Sequence, residues 1–222
     1  MQPRQRAHGF TLIELMVAIA AMALLALMSW RGVDGMTRTQ GQMRERGDAV
    51  LTLQTALSQW GTDLDAIAVL PSTQPIDWNG RAVRLTRTLT DGVQPLVEVV
   101  AWTVRNDAAG VPRWYRWASP TLRTRGDWQQ AWERAASWAE NGDTETQGTE
   151  VALMPLQGWQ LQYFRNNLWQ PATGADASGT TTSTVPDGVR VVLDLPQGNA
   201  LAGEITRDWV KPNFAVTAPR QQ

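Results

Sequence analysis

The sequence contains no cysteine, and its one histidine, His8, stands close to the N-terminus. Without thiols there is no disulfide framework and no thiolate metal site, and a chain of 222 residues can bury a core without covalent staples. Past His8 no imidazole remains, which excludes a Ser-His-Asp triad, a Cys nucleophile and a His-ligated zinc. Two-carboxylate chemistry would need a selected pair, and no motif singles one out among the 21 acidic residues. Neither enzymatic activity nor a cofactor is expected. A basic excess is missing too, since the formal net charge is −1, so nucleic acid is not an expected partner. Proline is absent between Pro3 and Pro71, and nothing in that interval forbids one long helix.

The most distinctive stretch present is "HGFTLIELMVAIAAMALLALMSW", residues 8–30. From Phe10 to Trp30 only Thr11, Glu14 and Ser29 are polar, and a helix of this length spans ~31 Å, about one hydrocarbon core. Arg4 and Arg6 precede the run; basic flanks stay on the cytoplasmic side, so the remainder is expected outside. A secretory signal would have a shorter apolar core followed by a small-residue cleavage site and a change of composition. Glu14 is the anomaly. A carboxylate at mid-bilayer costs roughly 2.5–3.5 kcal/mol on insertion scales, less near an end, and calls for a partner.

The heptapeptide "GFTLIEL" resembles the signal shared by type IV pilins and type II secretion pseudopilins. The resemblance implies that a prepilin peptidase cuts after Gly9, removing a leader of residues 1–9, and methylates the new N-terminus at Phe10. It implies that Glu14 is the assembly residue, pairing with the terminal amine of a neighbouring subunit. Such a pair offsets much of the desolvation of both charges. Loss of Arg4 and Arg6 with the leader would take the net charge from −1 to −3. Within the family, "SWRGVDGM" (29–36) resembles the anchor junction of the J class of minor pseudopilins. "LQTALSQWGTDLD" (53–65), with Asp63, resembles the end of that class's helix, and "VEVVAWTVRNDAAGVPRWYRWASPTL" (97–122) its central hairpin. The resemblance implies a structural subunit of a periplasmic pseudopilus that supports export of folded proteins, anchored by a single pass in the bacterial inner membrane. Its implied partners are the I and K minor pseudopilins and the major pseudopilin. The alternative is a minor type IV pilin serving adhesion, motility or DNA uptake. A basic aromatic stripe would favour that alternative, and Arg81, Arg84 and Arg87 are a small candidate that a solvated strand edge also explains.

The expected fold class is α+β, a pilin-like long helix packed on antiparallel sheet. Residues 10–30 form the membrane half and 31–67 an amphipathic continuation, with Met36, Met43, Val50, Leu57 and Leu64 at heptad spacing. That stripe suits packing on the protein's own domain or on a partner. Gly32, Gly35, Gly41 and Gly47 weaken the middle of the helix. From residue 71 to 222 the period turns to alternation, with strands expected at 81–89, 96–105, 113–118, 158–164, 188–195 and 204–210. A helix over 126–141 interrupts them, with Asp127 as its N-cap, and 172–188, which has no periodicity, is expected to be a mobile loop.

Twelve tryptophans are many for this length. Most suit a core, but Trp128, Trp132 and Trp138 exceed what one short helix is expected to bury, so some of them are candidates for a partner interface. "ENGDTETQGTE" (140–150) places Asp143, Glu145, Gln147 and Gly148 in part of an EF-hand spacing, but the twelfth position is Met154 rather than an acid. Asp143 and Glu145 are therefore only a weak calcium candidate, and no metal is expected.

Overall fold

The computed structural model describes residues 10–91, 94–142, 149–172 and 184–212. The chain divides into two compact units, Met1–Asp48 and Ala49–Gln222. The first is carried by helix α1, Leu12–Asp65, which begins in this unit. Gly32, Gly35, Gly41 and Gly47 do not interrupt it, and Thr37 and Thr39 satisfy their hydroxyls on the carbonyls of Val33 and Gly35 at 2.9 and 3.0 Å. Every described side chain of α1 up to Asp48 is exposed, including Met36 and Met43 of the heptad stripe.

In the second unit the last turns of α1 change character. Ala56, Trp60, Asp63 and Leu64 are buried, and Leu53 and Leu57 pack beside them. The stripe thus meets the protein's own core from Leu53 onward. Among the described residues nine strands and one helix follow: β1 Ile76–Trp78, β2 Ala82–Asp91, β3 Gln94–Asn106, β4 Pro112–Ala118, α2 Arg125–Asn141, β5 Glu150–Pro155, β6 Gly158–Arg165, β7 Leu168–Pro171, β8 Gly188–Leu195 and β9 Gly203–Val210. They make two antiparallel sheets, ordered β1-β2-β3-β4-β5 and β7-β6-β8-β9. The α+β class is as expected, with a long helix followed by antiparallel sheets.

The five-stranded sheet is buried on both faces. Val83, Leu85, Val100, Trp102 and Trp114 point into a core shared with the end of α1 and with Leu161, Val189, Val191 and Leu193 of the second sheet. Ala82, Val99, Ala101, Tyr115 and Trp117 point the other way, beneath α2. The two covers correct the reading of Arg84 and Arg87 as a solvated strand edge, Arg84 lying beneath α2 and Arg87 on the opposite face beside Asp63 of α1. Arg84 donates to Asp77 at 2.5 Å and to the Trp132 carbonyl at 3.2 Å, while Arg87 is only 7% exposed among carboxylates. A strand with alternating polar residues can still be internal when the polar set is paired.

Three strands have no counterpart in the sequence reading. β7 pairs with β6 through a two-residue turn in which Asn166 and Asn167 have φ 52° and 62°, the left-handed pair that tight hairpins require. β1 and β5 are short edge strands. The cap of α2 also differs from expectation. Thr124, not Asp127, is the N-cap, and the two residues exchange bonds in a capping box. Asp127 accepts the N–H groups of Thr124 and Arg123, which hold its carboxyl below the usual range. Thr124→Ala should cost about 1 kcal/mol of unfolding free energy, read by urea titration of the detergent-solubilised chain; an unchanged midpoint would contradict the capping role.

Candidate assembly site

Two acids mark α1, Glu14 in its first turn and Asp63 in its last. Around Glu14 the helix start is built as Thr-x-x-Glu. Glu14 accepts the backbone N–H of Thr11 at 3.1 Å and the Thr11 hydroxyl at 3.0 Å, both on Oε2, and its own N–H lies 3.4 Å from Thr11 Oγ1. This is again a capping box. The spacing that signals it is visible in "TLIE", yet sequence reasoning assigned the carboxylate only to an intermolecular partner. The cap gives the acid a local set of donors, and the helix N-terminus favours a negative charge there. Among the described residues Oε1 takes no bond and stays available to a further donor. Gly9, the expected cleavage position, lies outside the described residues. Phe10 is described and is 89% exposed.

The apolar side chains that follow are unburied by the chain itself: Leu15, Val17, Ile19, Leu24, Leu25 and Leu27 are all exposed. This part of α1 is long and apolar enough to cross a membrane. A bilayer supplies the apolar surroundings such a surface needs, and the segment fits a single-pass membrane anchor.

Asp63 is the opposite case. It has no solvent exposure, and four side chains reach it. Arg116 donates from Nε and Nη2 at 2.8 and 2.9 Å, Trp102 from Nε1 at 2.8 Å, Gln59 from Nε2 at 2.9 Å, and Arg87 pairs with it as well. Arg87 Nε in turn lies 2.8 Å from Glu98 Oε1. The sequence offered Asp63 only as a point of resemblance; apart from Gln59, one turn back on α1, its partners lie on three different strands that no local pattern joins to it. Burial pushes the Glu98 carboxyl above its ordinary 4.5, against the lowering fields of Arg87 and Arg116, with Asp63 adding a push upward.

The tryptophan candidates are placed inside the fold. Trp138 is fully buried against Trp117 and donates to Glu150 at 2.6 Å, and Trp132 is 9% exposed beneath the Arg84 guanidinium. Only Trp128 is half-buried, with its Nε1 donating to Thr86 Oγ1 at 2.9 Å. The expectation that this helix could not bury its tryptophans is corrected for Trp132 and Trp138, because the broad face of the five-stranded sheet receives them. Asp143 and Glu145, the weak calcium candidate, lie outside the described residues. Among the described residues no group of three or more His, Cys, Asp or Glu could hold a metal.

Comparison with known proteins agrees with the geometry at the helix start. Residues 4–30 match the prokaryotic N-terminal methylation motif. The chain is 26% identical over 203 residues to type II secretion system protein J of Escherichia coli, covering 91% of this chain and 94% of that protein. It is 25% identical over 225 residues to type II secretion system protein J of Vibrio cholerae serotype O1, covering 93% and 88%. No solved structure matches the chain.

Two outcomes test the Asp63 seat. Asp63→Ala strands two arginines without their shared acid and should lower unfolding free energy by about 3–5 kcal/mol in urea titrations. A folded-state value raised above the unfolded one means that the contribution of Glu98 is complete below the unfolded value and is lost as pH rises through the folded one. Glu98→Gln should therefore gain stability relative to the parent as pH climbs above 4.5; melting curves with a pH-independent gap between the two would refute this.

Proposed function

We propose that this chain, a pilin-like protein similar to type II secretion system protein J, acts as a minor pseudopilin of that system. It is a structural subunit of the periplasmic pseudopilus, placed in the complex at its tip, and it carries out no chemistry of its own. The observation that carries the reading is the joint presence of the methylation motif at residues 4–30 and similarity to protein J along nine-tenths of the chain. The fold supports it: an unburied apolar helix leads into a sheet domain built as one packed body.

In this reading a prepilin peptidase removes residues 1–9 and methylates Phe10. The anchor sits in the inner membrane with its N-terminus cytoplasmic and the sheet domain periplasmic, the orientation favoured by Arg4 and Arg6. Glu14 then exchanges part of its capping role for the amine of an adjacent subunit, an I- or K-type minor pseudopilin or the major pseudopilin. Thr11 releases the carboxylate as the new donor arrives. The exchange keeps the acid bonded in both states, which lowers the barrier against moving a charge through an apolar setting.

The test is Glu14→Ala in the full chain within a secreting cell. Loss of one member of a desolvated ion pair costs about 3–5 kcal/mol, so incorporation into the filament should fall roughly a hundredfold or more. Mass spectrometry should still find the mature chain starting at Phe10. Wild-type levels of secretion by this variant would sink the assignment.

A further inference from the structure

We propose that the groove between residues 69–74 and the first half of α2 receives an extended segment of another subunit of the pseudopilus. That segment brings an apolar side chain to Trp128, whose ring is backed by the buried Trp132, and a carboxylate to Arg125. The inference rests on the pseudopilin reading above and assigns a surface to it.

The groove has a volume of about 840 Å³, within the size range of sites that hold ligands. Val69, Leu70 and Pro71 form one wall, and Trp128 and Trp132 form the other, stacked at 5.2 Å with an interplanar angle of 28°. Val69 is 65% exposed on the rim. Both walls are held in place from below. Trp128 Nε1 donates to Thr86 Oγ1 at 2.9 Å, and that hydroxyl donates to the Gln74 carbonyl at 2.6 Å, so one threonine ties helix to loop. Thr73 bonds back to the Leu70 carbonyl through its N–H and its hydroxyl. Ser72 sits at φ 60°, a left-handed conformation that non-glycine residues avoid and that persists where surrounding contacts enforce it. Arg84 fixes Trp132 from its far side, 4.7 Å from the ring. The concavity is therefore preorganised, which lowers the entropic cost of filling it.

Charge selects the occupant. Arg125 opens α2, where the helix dipole is itself positive, and Arg123 is exposed just before it. Asp127, the nearest acid in sequence, is committed to the capping box. Arg125 has no acidic partner among the described residues, so this end of the groove is complementary to a carboxylate. Glu133, at the other end, already accepts from Gln129 at 3.2 Å. Those two positions on α2 are ~12 Å apart along the axis, a span that roughly four residues of extended chain cover. An exposed indole edge beside exposed arginines matches the aromatic and arginine anchors that dominate protein interfaces.

The test uses the full chain in cells that carry the complete secretion system. Gln129 lines the groove and is exposed, so it is replaced by p-benzoyl-phenylalanine; Met43 in α1 and Arg134 outside the groove are replaced in parallel. Irradiation at Gln129 should give an adduct whose crosslinked peptide, sequenced by mass spectrometry, belongs to another pseudopilin and contains an acid. Arg125→Glu should lower its yield about fivefold, the scale of one rim charge pair, and Arg125→Lys should retain it. The proposal is overturned by an adduct to a second copy of this chain, by equal yield from Arg134, by indifference to Arg125→Glu, or by no adduct from Gln129 while Met43 gives one. If Met43 also fails to reach any pseudopilin, the pseudopilin reading falls and takes the groove with it.

Discussion

A carboxylate with no access to water holds the end of the long helix in the sheet domain. Asp63 is bonded by Arg87 from β2, Trp102 from β3 and Arg116 from β4. Burying that charge alone would be prohibitive, and burying two arginines without it would be equally so. Each member is tolerable because the others are present. The ladder has Val83 opposite Trp102 and Trp102 opposite Arg116, so a one-residue slip of β3 or β4 would turn an Asp63 donor to the other face. The ion cluster therefore specifies how the strands are aligned as well as where the helix ends.

Around this point the aromatic residues divide into two layers. Trp60, Trp102, Trp114 and Trp159 form a contiguous group with centroids 4.7–6.1 Å apart on the inner side of the five-stranded sheet. Trp117 and Trp138 meet on its outer side beneath α2. Large rigid side chains fill wide gaps with little loss of rotamer freedom, which suits a domain of short strands that has no disulfide. Trp30 is left out of both layers, 75% exposed at the end of the apolar run, where an indole suits a membrane–water boundary.

Much of this architecture is legible in the residues. The long helix follows from the absence of proline and from the apolar content of residues 10–30. β2, β3, β4, β6, β8 and β9 follow from alternation, because each has one face that must be covered. What escaped was set by longer-range or finer causes. β7 is four residues long, and its signal is the asparagine pair before it rather than any hydrophobic pattern. Thr124 and Asp127 are both good capping residues, and only the backbone geometry decides which one leads. Arg84 and Arg87 look like a solvated face because their acids, Asp77, Asp63 and Glu98, come from other elements. At Glu14 an acid inside an apolar run stands out as a charge, which masks the Thr-x-x-Glu spacing of an internal cap.

The separations within the Asp63 cluster bear on how the protein is made. Its partners lie 24, 39 and 53 positions further along the chain. An N-terminal helix emerges from the ribosome first, so the acid is synthesised well before the arginines that will enclose it. Until β4 has been made, the last turns of α1 have nothing to seat against and their apolar side remains uncovered. Contacts of such range slow folding, and this domain would complete its core only as a late event, after most of its strands exist.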